Sequence, residues 1–308
     1  MSTGIGKGMV RSVAGDLQCD PDVGVALVHE HLSCDLSRTS GPTYLLNDLA
    51  LMTEELRYAA GVGVRLVVDV GNSGHGRDVS LLEGIARDTG VVVVASTGHY
   101  REGFFPPIVE SATVEQLAEL MVNDIEVGFP GGNVRAGAIA EIGFSSEVPT
   151  ANEEKVMTAA GLAQARTGAP LLTHTPEGKG WRRQLELLVA GGADLNKVVI
   201  GHMDCIDDGS AHLGVLESGA WLGFDRVNST RYQTDDIRCE RLVDLVRLGY
   251  GNRVILSMDI ATTTRFRADG APGYGGVVTD FVPRLERAGV TDTDIHQLLA
   301  NSWQYLLS

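Results

Sequence analysis

Disulfide chemistry has little to work with in this chain. Only four cysteines stand among 308 residues, at Cys19, Cys34, Cys205 and Cys239, and no two share the short spacing of a metal knuckle. A stapled secreted fold and a zinc ribbon are therefore excluded, and reduced thiols in the cytoplasm are expected. Long apolar runs are missing as well. Stretches such as Val91–Ala95 are far too short to span a bilayer, and Met1–Arg11 has no apolar signal core. Basic charge is scarce: 25 Lys and Arg face 40 Asp and Glu, a net charge of −15. Such a surface repels phosphate backbones and anionic lipid, so neither nucleic acid nor a membrane is an expected partner. Low-complexity tracts and disorder-prone linkers are also absent.

What is present is an ordinary globular composition, 44% hydrophobic and 21% charged. Eight short apolar runs recur: Val23–Leu32, Arg65–Gly71, Val91–Gly98, Val134–Gly143, Pro170–Thr175, Val198–Asp204, Trp221–Arg226 and Arg253–Asp259. They are rich in Val, Ile and Leu without strict alternation, which fits strands buried on both faces of a parallel sheet. Amphipathic stretches lie between them, at Leu45–Ala60, Val114–Val127, Glu153–Arg166, Thr234–Leu248 and Gly276–Ala288, several closed by a glycine. Ser37–Thr43 and Phe129–Asn133 read as surface loops. Strand and helix in alternation predict an α/β (β/α)₈ TIM barrel, one domain over residues 1–308 with residues 1–21 as an N-terminal extension. A doubly wound sheet competes, but where its Gly-rich dinucleotide loop belongs the sequence has His-Glu-His.

The chemistry-bearing residues collect in or at the ends of those runs. His29 and His31 end the first, Glu141 lies in the fourth, His174 closes the fifth, His202 the sixth and Asp259 the eighth. Side chains alternate along a strand, so His29 and His31 share a direction and Glu30 points away. A lone histidine at a strand end is more often a hydrogen-bonded structural residue than a ligand. Six metal-binding groups in matching places are a different matter, because ionisable groups are rarely buried without a partner. Imidazole with carboxylate suits Zn²⁺, and also Mn²⁺, Co²⁺ or Fe²⁺. Tyr100 and Arg101 follow the third run, and Arg226 closes the seventh, beside an Asp225 read as pairing with a neighbouring cation. His75, His99, His212 and His296 carry no motif and read as surface or structural, with His99 nearest the expected site.

In order along the chain, Leu-Val-His-Glu-His, Ala-Glu-Ile-Gly, Thr-His-Thr, Gly-His-Met-Asp and Leu-Ser-Met-Asp-Ile resemble the phosphotriesterase family of the amidohydrolase superfamily. The resemblance runs from about Val10 to the end and takes in Tyr274–Leu285. It implies that His29, His31 and Asp259 bind one metal ion, that His174 and His202 bind a second, more exposed one, and that Glu141 bridges both. Many family members use a carboxylated lysine at that bridge; Glu here weakens any transfer of organophosphate activity. Ala300–Ser302 also departs from the usual Asn-Pro, in what reads as the last helix.

The resulting expectation is a hydrolase with two divalent metal ions, zinc first. A metal-activated bridging hydroxide would cleave an ester, lactone or phosphoester, with Asp259 accepting the proton. Basic residues gather after the predicted strands: Arg101, Lys179, Arg226, Arg231, Arg265 and Arg267, with Arg182 and Arg183 read as solvated at a helix start. A guanidinium fork suits phosphate or carboxylate, so the expected substrate is a small anion, with Tyr100, Arg226 and Arg231 on the substrate side. Amide or cyclic-imide hydrolysis on the same centre, and metal-dependent ligand binding without turnover, are the alternatives. Monomer and homodimer are both open.

Overall fold

The computed structural model describes residues 8–19 and 24–308. Eight strands form one parallel sheet in chain order: β1 (Val25–Glu30), β2 (Val64–Asp69), β3 (Val92–Thr97), β4 (Ala138–Gly143), β5 (Leu171–His174), β6 (Val198–Ile200), β7 (Trp221–Phe224) and β8 (Val254–Leu256). Helices α1 (Leu49–Gly61), α2 (Val79–Thr89), α3 (Val114–Glu126), α4 (Ala151–Thr167), α5 (Trp181–Ala190), α6 (Gly209–Glu217) and α7 (Asp235–Arg247) each follow a strand; α8 (Val282–Arg287) and α9 (Asp292–Leu307) end the chain. This is the expected (β/α)₈ barrel. Among the described residues no helix is long and apolar enough to cross a membrane.

Each predicted run overlaps a strand shorter than itself, and β2 begins one residue before its run, at Val64. The run Val134–Gly143 becomes strand only at Ala138, and Val198–Asp204 leaves the strand after Ile200. Val23 lies outside the described residues. Leu45–Ala60 is not one helix: Leu45–Leu46 pairs with Cys34–Asp35, and Asp48 then caps α1 through the amides of Ala50 and Leu51. The segment read as a loop at Ser37–Thr43 contains a helical turn, Ser37–Ser40, and part of a 3₁₀ turn, Pro42–Tyr44. Gly276–Ala288 begins as a π-helical turn, Val277–Phe281, before α8. Local capping explains the stronger helices. Thr150 and Glu153 form a reciprocal capping box at α4, and Thr113 and Gln116 do the same at α3.

Alternate strand residues pack inward as a second apolar cluster that includes Ala26, Val28, Leu66, Val68, Ala138, Ala140, Leu172, Val199 and Ile255. Helix α9 closes the N-terminal end of this lumen. Trp303 Nε1 donates to Gly24 O at 2.7 Å and Tyr305 Oη to Leu171 O at 2.8 Å. A hairpin, Met9–Ser12 with Gly15–Gln18, buries Val10 and Arg11.

The seam between β8 and β1 is stitched by side chains. Ser257 Oγ and the amides of Met258 and Ile260 donate to the Glu30 carboxylate at 2.8, 2.6 and 3.1 Å, and the Asp259 amide donates to His29 O at 3.0 Å. Burial pushes the Glu30 carboxyl up to about 7 against those donors.

Simple alternation does not aim the histidines inward. Ala26 and Val28 already face the lumen, so strict period two would continue to Glu30. A register shift between Leu27 and Glu30 interrupts that parity, leaving His29 and His31 on the site and Glu30 on the seam. Strand β4 does the same. Its register shifts between Ile139 and Ile142, and Glu141 turns inward directly after lumen-facing Ala140 with φ 54°.

Candidate metal centre

All six residues singled out as metal ligands meet at the C-terminal mouth of the barrel, and each is close to fully buried except His174 and Asp259, whose side chains are each 10% exposed. Glu141 lies at the middle. Its Oε1 is 3.1 Å from His29 Nε2, 3.6 Å from His31 Nε2 and 3.9 Å from His202 Nε2; its Oε2 is 3.1 Å from His174 Nδ1. Asp259 Oδ1 is 3.2 Å from His31 Nε2 and 4.0 Å from His29 Nε2. His202 Nε2 and His174 Nδ1 face each other at 2.9 Å.

Three of these residues sit on left-handed backbone, at φ 54° for Glu141, 61° for His202 and 47° for Asp259. Non-glycine residues rarely adopt that region, and each costs about 1–3 kcal/mol that the surrounding packing must hold. Space is cleared on the facing strands by glycines. A Cβ on Gly201 would run into Thr173 O, Asp225 Oδ2 and His29 Cε1, and one on Gly223 would lie 2.6 Å from Asp225 Oδ2.

Asp225 is the residue the sequence reading undervalued. Its partners are imidazoles, where an ordinary neighbouring cation was expected. Oδ1 accepts from the His202 amide at 2.9 Å and lies 2.8 Å from His202 Nδ1; Oδ2 is 2.9 Å from His29 Nδ1, off the ideal hydrogen-bond direction. A carboxylate beside Nδ1 holds the proton there and leaves Nε2 as a lone pair. That lone pair on His202 faces His174 and Glu141, while Glu141 Oε2 has no hydrogen-bond donor. Lone pairs and carboxylate oxygens converging in a buried volume repel unless a cation lies among them. The donor set therefore fits divalent metal, in two groupings that share Glu141: His29, Glu141 and Asp259, and Glu141, His174 and His202. The signal for Asp225 was available in sequence: it follows Trp221 and Gly223 at period two, one residue past the end of β7.

The side chains alone keep the acids ionised. Burial opposes it, but the His174, His29 and His31 contacts hold Glu141 well below the usual carboxylate range, and Arg226 with His202 does so for Asp259. Burial likewise opposes charge on His29, yet Asp225 and Glu141 outweigh it and raise that imidazole; burial wins at His174, which falls to about 4.

The cavity above the cluster measures about 710 Å³. His31, Glu141, His174 and Asp259 open onto it, as do Tyr100, Arg226 and Arg231, so every residue expected on the substrate side is there. Tyr100 Oη is 3.4 Å from His174 Nε2, and Arg231 Nη1 is 3.4 Å from Tyr44 Oη at the exposed rim. The other basic residues divide. Arg101 and Lys179 line the cavity. Arg265 also lines it, but spends its fork on the carbonyls of Met258, Asp259 and Val227. Arg183 pairs with Glu154 and Glu186, Arg182 stacks on Trp181, and Arg267 stacks on Tyr58. His75, expected to be surface or structural, is buried yet lines the cavity, its ring 4.1 Å from Tyr100 and 5.3 Å from His31. Burial lowers it to about 3, so it stays neutral. His99 bonds Ser73 and His212 bonds Met203 O, both away from the cavity lining, and His296 is exposed.

Comparison with known proteins finds relatives over nearly the whole chain. A model of the phosphotriesterase family matches residues 9–307. The phosphotriesterase homology protein of Escherichia coli is 39% identical over 281 residues, 91% of this chain and 96% of the relative. Its crystal structure, with phosphate in the active site, superposes with a TM-score of 0.90 at 38% identity, covering 94% of this chain and 100% of the other. The N-acetyltaurine hydrolase of Dictyostelium discoideum is 30% identical over 85% of this chain and 74% of its own length. A lactonase of Listeria monocytogenes superposes with a TM-score of 0.88 at 25% identity, covering 97% of this chain and 98% of the other.

Proposed function

The chain belongs to the phosphotriesterase family, and from that membership we propose a hydrolase that uses two divalent metal ions to cleave an ester, lactone or phosphoester bond in a small anionic molecule. The observation that carries the reading is the convergence of four imidazoles and two carboxylates beneath one 710 Å³ cavity. His29, His31 and Asp259 would hold one ion, His174 and His202 the other, with Glu141 shared. Zinc is the first candidate, with manganese, cobalt and iron as alternatives. Metal bound there supplies a Lewis acid for the carbonyl or phosphoryl oxygen and lowers the pKa of water towards about 7.

The protein's own groups do the rest. Asp259 is the proposed proton acceptor as water attacks. Tyr100, beside His174 on the cavity wall, is assigned to the substrate side. Arg231, exposed at the rim, offers the guanidinium that we assign to the substrate's anionic group. Glu141 is a carboxylate without modification, so the centre needs no carbon dioxide to assemble. We place the protein in the cytoplasm, where its four cysteines, all free, stay reduced.

One finding favours a second bond class. The Dictyostelium relative is an N-acetyltaurine hydrolase, and that substrate is an amide with an anionic tail. Metal and barrel do not choose between ester and amide. The deciding experiment is turnover by metal-loaded protein on a lactone, a carboxylate ester, a phosphodiester and an N-acyl aminosulfonate, each beside a neutral analogue. Hydrolysis of an anionic ester or lactone supports the first reading, and hydrolysis of the aminosulfonate amide alone supports the second. A neutral phosphotriester cleaved as fast as any anion overturns the anionic preference. No turnover with both metal sites filled favours a ligand-binding protein.

A further inference from the structure

Arg226 lines the cavity, yet its guanidinium is already engaged. Nε donates to Asp259 Oδ2 at 2.8 Å, Nη1 donates to Cys205 Sγ at 3.6 Å, and the head group lies 4.1 Å from the centre of the Tyr232 ring. Its backbone is pinned too. The Arg226 amide donates to Asp204 Oδ2 at 3.1 Å, and Arg238 Nε holds the same oxygen at 2.6 Å. Asp259 is fixed from its own side by an amide that donates to His29 O. Its two oxygens face different ways: Oδ1 faces His31 Nε2 at 3.2 Å, and Oδ2 faces Arg226.

We propose that Arg226 is a positioning residue that reserves Oδ2 of Asp259, so that a single oxygen, Oδ1, is presented to metal. This inference rests on the reading of Asp259 as a metal ligand. A carboxylate turns about its Cβ–Cγ bond, and with no fixed donor its two oxygens are equivalent. Capture through both would take up a coordination position that substrate or water needs. A charge-assisted bond from a buried guanidinium prevents that turn. Anion recognition then falls to the exposed Arg231, since the Nε of Arg226 is committed to Asp259.

The test uses Co²⁺ as the probe. Metal-stripped full-length protein is reconstituted, and its visible absorption spectrum and chelator-competition affinity are measured for the parent, Arg226→Gln, Arg226→Lys, Asp259→Asn and the Gln/Asn double variant. Arg226→Gln is expected to change the Co²⁺ spectrum and weaken affinity about 10- to 100-fold, the usual effect of losing a partner behind a ligand. Arg226→Lys should shift the spectrum in the same sense by less, and Arg226→Gln should add nothing once Asp259 is Asn. A residue that merely anchored substrate would raise KM and leave spectrum and affinity at parent values; that result in Arg226→Gln overturns the proposal. If Arg226→Gln fails to fold, as judged by circular dichroism, a parent-like spectrum in Arg226→Lys does the same. Asp259→Asn separates the two levels: if it keeps both ions at parent affinity, the metal reading itself fails, whereas metal loss there with no effect of Arg226→Gln rejects only the positioning role.

Discussion

Asp225→Asn is nearly isosteric and removes one charge from the wall behind the centre. In the parent, Oδ1 serves two donors, the His202 amide and Nδ1, and Oδ2 faces His29 Nδ1. A carboxamide offers one oxygen and one NH₂ group. Its oxygen belongs at the Oδ1 position, because the reverse orientation would set NH₂ against the His202 amide. The NH₂ group then faces His29 Nδ1 at a parent separation of 2.9 Å. Two donors cannot share that contact, so His29 must move its proton to Nε2, the atom 3.1 Å from Glu141 Oε1. One of four imidazoles is thereby lost as a ligand. A hydrogen bond to a charged group contributes about 1.5–3 kcal/mol, and partners behind a metal ligand change affinity about 10- to 100-fold. Those figures agree, since 10- to 100-fold corresponds to about 1.4–2.7 kcal/mol. Chelator competition with Zn²⁺ measures the affinity, and thermal unfolding of loaded and stripped protein measures how much metal adds to stability. Both should fall in Asp225→Asn while the stripped proteins unfold within a few degrees of each other. Zn²⁺ affinity within threefold of the parent would refute the tautomer argument.

Four further outcomes are expected. Glu141→Gln should bind markedly less metal by elemental analysis, because an amide is a weaker bridge than a carboxylate, and parent reconstitution should be the same with or without bicarbonate. With metal occupancy matched to the parent, Asp259→Asn should lower kcat by about two to four orders of magnitude, the range for a lost acid–base group; near-normal turnover with metals retained would exclude it as proton acceptor. Arg231→Ala should reduce kcat/KM about tenfold for an anionic substrate and leave its neutral analogue unchanged, since only the charged partner loses a guanidinium contact worth about 1–2 kcal/mol. Gly201→Ala should destabilise the fold by about 1–3 kcal/mol in denaturant unfolding, as overpacking does, because its methyl group meets Thr173 O and Asp225; unchanged stability would mean that β6 has room to shift.

The Val- and Ile-rich runs were legible as strands because burial on both faces of a parallel sheet selects for that composition over a window of five or six residues. Helices with clear caps and a glycine stop, such as α4 ending at Gly168, were legible for the same local reason. Helices α2, α5 and α6, 9–11 residues long, were not singled out, although α2 carries the same local signals, an Asp78 cap, a buried face of Leu81, Leu82 and Ile85, and a left-handed Gly90 stop; helices this short draw most of their stability from packing. Of the site, the six residues that converge could be read, because an ionisable side chain in or at the end of an apolar run needs a partner wherever the chain takes it. What the partner would be could not. That Glu30 closes the seam, that Asp225 stands behind two histidines and that Arg226 holds one oxygen of Asp259 all depend on contacts between strands far apart in sequence. The inward aim of His29, His31 and Glu141 shows the division most clearly. Residue type is written along the chain, but direction was decided by register shifts in β1 and β4, and a one-residue shift in register turns a side chain from one face of a strand to the other.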